Sequence, residues 1–172
     1  MAELHDLTAL EQGALVGSGE ISAVELTDHY LDRIERAGRE RGDFVAGAFA
    51  FLDPDVARER ARAVAAVGPV GDGASPLAGV PTAIKDLNLT AGIPTAFGSP
   101  VFADYVPEVS DAVTLAIEAA GLVSLGKTST PEFGSPCYTE PEGRPPAVTP
   151  WDTTRMAGGS SGGAAAAGAA GL

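Results

Sequence analysis

Leu26, Tyr30, Ile34 and Ala37 recur on one helical face, with Asp28, Asp32, Arg36 and Arg39 largely elsewhere. That spacing predicts an amphipathic helix of about five turns. Ser22 and Glu25 stand at capping-box spacing and start it; Thr8 and Glu11 repeat the device and start an earlier helix that ends near Gly17 to Gly19. Phe44 to Leu52 is apolar at both parities, the pattern of a strand covered on both faces. Asp53-Pro54 then reads as N-cap and first position of a third helix, with Val56, Ala63, Val64 and Val67 as its buried face. Gly68 to Ser75 is a glycine- and proline-rich loop. Leu77 to Ile84 leads as a buried strand into Lys85-Asp86, and Asn88 to Phe102 is punctuated loop. Ser110 caps a helix over Asp111 to Ala120, and Leu122 to Leu125 is a short strand. Proline at 131, 136, 141, 145, 146 and 150 makes the next stretch a loop over a surface, before Trp151-Asp152 re-enters the body. Ala164 to Gly171 holds only alanine and glycine, a helix suited to a crowded interior. Helix and strand alternate, so the fold class is α/β with one domain as the expectation.

Composition narrows the function. With 172 residues, 45% apolar and 20% charged, the chain is globular. A formal charge of −12 repels phosphate backbones and anionic lipid, against direct binding of nucleic acid or membrane. No apolar run reaches the roughly 20 residues of a membrane span, and the N-terminus has no basic leader, so the expected location is cytoplasmic. The single cysteine, Cys137, excludes an intrachain disulfide and reads as a small buried hydrophobe. His29 reads as a partly exposed helix histidine, since no second metal ligand lies four residues away. Of eleven basic residues only Lys85 and Lys127 are lysine, so each calls for a specific account.

Lys85 closes an apolar run, where a charged amine is costly; it must snorkel, find a partner or lie neutral with a lowered pKa. Lys127 completes a letter-for-letter match to the phosphate-loop pattern G-x-x-x-x-G-K-[ST] over 121–128. The four intervening residues are themselves strand-like, however, and Pro131 follows soon after, so a nucleotide site through Lys127 stands only as an alternative. Gly158-Gly159-Ser160-Ser161-Gly162-Gly163 is by itself either a flexible linker or a site, and the small-residue helix after it favours the site.

Gly79-Val80-Pro81 with Ile84-Lys85-Asp86, Leu125-Gly126-Lys127-Thr128 with Glu132-Phe133-Gly134, Pro150-Trp151-Asp152 and the glycine-serine stretch occur in this order over nearly the whole chain. Together they resemble the amidase signature family. The resemblance implies the N-terminal part of a mixed β-sheet covered by helices, without cofactor or metal, and acyl transfer from a small carboxamide through a Ser–Ser–Lys triad. Lys85 matches the general base, which must be neutral to accept a proton. Ser160 matches the bridging serine at a cis peptide bond. Ser161 would help to hold the loop, and Gly134 falls where the family lines its acyl pocket.

The departures are as informative. The family's nucleophile lies in an Asp-x-Gly-Gly-Ser segment roughly two dozen residues past the bridging serine, with backbone N–H groups as oxyanion hole. The sequence in hand runs to Leu172 without it. Ala164 stands where many relatives carry serine, and Ser129 where many carry asparagine. The expectation is an incomplete domain, inactive and only marginally folded alone, whose partner is a complementing C-terminal chain or a second copy. Within the family, the amidase component of a glutamine-dependent tRNA amidotransferase is the alternative.

Overall fold

The computed structural model describes residues 3–67 and 75–172. Helix α1 (Ala9–Ser18) is capped by Thr8, whose side chain accepts from the Glu11 N–H, and ends at left-handed Gly19. Helix α2 (Ala23–Glu40) is capped in the same way by Ser22 and Glu25, and buries Leu26, Leu31 and Ile34. Both starts and the five-turn length follow the sequence pattern. His29 is half-buried and meets the His5 ring nitrogen at 3.2 Å. No group of three or more potential metal ligands occurs among the described residues.

The apolar run at 44–52 divides instead of forming one strand. Helix α3 (Gly42–Ala48) takes its first part and strand β1 (Phe49–Leu52) the rest. A short run apolar at every position carries no period that separates a buried helix from a buried strand. Helix α4 (Pro54–Val67) starts as its cap residue dictates, with Asp53 Oδ1 accepting from the Val56 N–H at 3.0 Å. Its fully buried side chains are Ala57 and Ala61, while Val56 and Val64 are half-buried and Ala63 is exposed. Small residues let this helix approach the sheet closely, so the alanines face inward. The Val67 side chain and nearly all of the 68–75 loop lie outside the described residues.

Strand β2 (Pro81–Lys85) is shorter than the apolar run suggests, because 77–79 turn before it. Helix α5 (Ala112–Ala119) takes Asp111 as its cap; Ser110 instead accepts from the Ala91 N–H. Strand β3 (Val123–Thr128) runs through Lys127 and is buried at every position. The sheet order is β1-β3-β2, with β1 antiparallel and β2 parallel to β3. The parallel pair needs the long crossover that residues 86–122 provide. This is the mixed α/β arrangement expected.

Strands β4 (Val148–Thr149) and β5 (Asp152–Met156) form a separate antiparallel pair. Trp151 at their turn is 80% exposed, whereas Val148 and Ala157 at the base of the hairpin pack against the core, so the stretch returns to the body at its base and not through the tryptophan. Helix α6 (Gly162–Ala169) buries Gly162, Gly163, Ala166 and Ala167, but Ala164, Ala165, Gly168 and Ala169 are exposed. Only one of its faces is crowded. A single apolar cluster joins Leu31 and Ile34 of α2, Phe44 of α3, Phe49 of β1, Leu125 of β3 and Ala166 of α6. Cys137 lies exposed in the proline-rich surface stretch and not in the core.

Candidate active site

The C-terminal ends of β2 and β3 bring the chemistry together. Lys85 is the last residue of β2, paired with Thr128 of β3, and is half-buried. Its Nζ donates to Ser160 Oγ at 2.7 Å across the fold. Burial pushes the Lys85 amine below the ordinary lysine range, with desolvation as the whole cause. At that distance a neutral amine can equally accept the serine proton.

Two threonines set the serine in place. Thr130 Oγ1 donates to the Ser160 carbonyl at 3.2 Å. Fully buried Thr139 donates from Oγ1 to the Gly158 carbonyl at 3.0 Å and accepts from the Gly162 N–H at 3.1 Å, closing the loop from both sides. The Gly159–Ser160 peptide bond is cis. Glycine is required at 159, where a Cβ would come within 2.6 Å of the Tyr138 backbone nitrogen, and at 163, where it would lie 2.4 Å from the Ser129 nitrogen. These contacts, absent from any local motif, seat α6 on the end of the sheet.

Of the other residues singled out from sequence, Ser161 is exposed and makes no side-chain cap to α6; the hydroxyls that tie down the loop are those of Thr130 and Thr139. Gly134 has φ +68° and turns tightly against Leu87, whose Cδ1 would lie 2.4 Å from an added Cβ. A cavity of about 500 Å³ opens beside the strand ends, between Phe51, Asp86, Ala96, Pro100, Thr130 and Arg144. Its size suits a small organic molecule. Gly134 does not line it; Thr130 links it to the Ser160 loop.

Lys127 has a different setting. It lies inside β3, 0% exposed, 3.4 Å from Asp86 Oδ1, and donates to the Asn88 carbonyl at 2.7 Å and to Thr95 Oγ1 at 2.8 Å. A phosphate loop needs this lysine free at the opening of a helix. Here it is enclosed in a strand with its donors used, which overturns the nucleotide reading. Burial drives its pKa down, and drives that of Asp86 up, while the pairing of the two opposes both shifts. Sequence spacing marked Lys127 as unusual but offered no route to Asp86 as its partner.

The Amidase family model matches residues 25–172. The chain belongs to the amidase family. It is 45% identical over 161 residues to a glutamyl-tRNA(Gln) amidotransferase component, the A subunit, of Thermobifida fusca (strain YX), covering 94% of this chain and 31% of that protein. The corresponding protein of Salinispora arenicola (strain CNS-205) is 43% identical over 93% of this chain and 32% of its own length. Among solved structures, 6-aminohexanoate cyclic dimer hydrolase superposes with a TM-score of 0.83 at 31% identity, over 99% of this chain and 33% of that one. A bacterial aryl acylamidase of the amidase signature enzymes gives 0.82 at 30% identity, over 96% and 34%. The chain thus spans about a third of the length of the relatives it matches. No helix among the described residues is long and apolar enough to cross a membrane.

Proposed function

We propose that this chain supplies the base and the proton relay of an acyl-transfer centre that cleaves a small carboxamide. The observation that carries this reading is the 2.7 Å contact between Lys85 Nζ and Ser160 Oγ, made by an amine that burial pushes toward its neutral form. In the proposed cycle Ser160 passes its proton to Lys85 while taking the proton of a nucleophilic serine, which attacks the amide carbonyl. The lysine then returns the proton through Ser160 to the departing nitrogen, and water releases the acyl group by the same route. The nucleophile and the oxyanion donors come, in this reading, from an Asp-x-Gly-Gly-Ser segment outside the 172 residues, belonging to a complementing chain or to a longer form of the same domain. The exposed small-residue face of α6 is where such a segment would pack.

The test combines this chain with that segment and measures release of ammonia from simple carboxamides. Lys85→Ala should lower the rate by about 10²- to 10⁴-fold. A rate near that of the parent would overturn the role of Lys85.

A second reading is favoured by the relatives at 41–45% identity, each the A component of a glutamyl-tRNA(Gln) amidotransferase. In it the carboxamide is glutamine and the released ammonia goes to a partner protein. Glutamine turned over well above other carboxamides, with ammonia captured by an acceptor, would select this reading; broad carboxamide hydrolysis would select the first. Direct phosphate contact by this acidic chain, at −12, is disfavoured in either case.

A further inference from the structure

Asp86 follows Lys85 directly, and an unpaired carboxylate so close to an amine would attract its charged form. Register shows how this is avoided. Lys85 pairs with Thr128 while Ile84 pairs with Lys127, so Lys85 leaves the sheet on one face, and Asp86 and Lys127 meet on the other. Both members of that pair are essentially inaccessible to solvent. The Asp86 carboxylate also accepts from the Ala96 N–H at 3.1 Å, and its own N–H donates to the Thr128 carbonyl at 3.0 Å.

We propose that Lys127 is a positioning residue for Lys85: it takes up the Asp86 carboxylate on the far face of the strand and leaves Ser160 as the hydrogen-bond partner of the Lys85 amine.

The charges around the strand end agree with this. From β3 the only ionisable residue is Lys127, and α6 has none. Asp111, the cap of α5, acts on Lys127 and is itself tied to the Leu89 N–H and the Asn88 side chain. Helix α2, which also packs on β2, places no charge that acts on Lys85, whose shift has burial as its cause. The carboxylate next in sequence lies on the far face of the strand, where Lys127 Nζ meets it at 3.4 Å.

The base role of Lys85 rests on the function proposed above, but the pairing can be tested without turnover. The chain has two lysines, so trace labelling with acetic anhydride across pH, read by mass spectrometry, reports the titration of Lys85 directly; enclosed Lys127 checks the fold of the parent, and near-UV circular dichroism checks that of the variants, which lack it. Lys127→Met should raise the Lys85 midpoint by about one pH unit, because Asp86 is then an uncompensated neighbour. Where Lys127→Met does not fold, as judged by near-UV circular dichroism, Lys127→Gln keeps a hydrogen bond to Asp86 and should move the midpoint in the same direction. The double variant Asp86→Asn/Lys127→Met, with neither charge, should return the midpoint to the parent value. An unchanged midpoint in the folded single variants, or a double variant that stays displaced, overturns the proposal. Retained hydrolysis in Lys85→Ala would defeat the catalytic reading while leaving the labelling result intact, so the two failures are separable.

Discussion

Lys85 and Lys127 stand on neighbouring strands one register step apart, and the sheet sends them to opposite faces. Lys127 enters a closed environment with a carboxylate, a carbonyl and a hydroxyl as partners. Lys85 reaches a half-open rim and one neutral hydroxyl. An enclosed lysine surrounded by fixed acceptors ties the loop at 86–95 to β3, with its donors committed to those partners. A desolvated amine without a counter-ion is pushed toward its neutral form, the form that can take a proton from the serine. The degree of burial alone would have pointed to the wrong lysine; the partners separate them.

The largest test of that contrast is Lys127→Met, which leaves Asp86 buried and unpaired. It should lower the unfolding free energy by about 3–5 kcal/mol in urea denaturation at neutral pH. A loss under about 1 kcal/mol would mean that Asp86 is satisfied by its backbone donors, and the contrast would collapse. Next comes the seat of the serine loop. Gly163→Ala places a Cβ 2.5 Å from the Ala48 carbonyl oxygen as well as against Ser129, and should cost about 1–3 kcal/mol, whereas Gly168→Ala, on the open face of the same helix, should stabilise by up to about 1 kcal/mol. Equal effects at the two glycines would show that α6 is not anchored through its N-terminal turn.

Lys85→Met should change stability by less than about 1 kcal/mol at neutral pH, since it removes one hydrogen bond to a serine hydroxyl at a half-open rim. The smallest effect is the pH dependence that Lys85 confers. With its folded pKa below the ordinary value of about 10.4, the folded chain binds fewer protons than the unfolded chain between the two values, so stability rises with pH across that window. Denaturation midpoints followed through mildly alkaline pH should show the rise in the parent and its loss in Lys85→Met. A slope that persists in the variant would assign it to another group.

Local chemistry was readable wherever neighbours in sequence are neighbours in space. The capping boxes at Thr8–Glu11 and Ser22–Glu25, the Asp53 cap and the apolar stripe of α2 all act within a turn or two of helix, and the structure has each of them. The run at 44–52 was not readable, because a stretch apolar throughout suits a helix and a strand equally well until its neighbours are known. Ser110 and Asp111 differ by one position as caps, a choice settled by the distant Ala91 N–H that occupies the serine. Cys137 and Trp151 lie outside the core for a related reason: residue type suggests burial, but the proline-rich stretch and the turn of the hairpin beside it lie on the surface.

The site divides along the same line. Motif order singled out Lys85 and the Ser160 stretch, which the fold brings into contact, and residue counts set both lysines apart, because these are properties of the chain itself. Thr130 and Thr139, which hold the serine loop, and Asp86, which occupies Lys127, belong to no local motif. Their roles arise where a strand register, a crossover and a glycine-seated helix meet. Hydrophobic period and capping act over a few residues and are written in order along the chain, but which polar group compensates a buried charge depends on atoms tens of residues away, and only the packed structure brings those atoms within a hydrogen bond of each other.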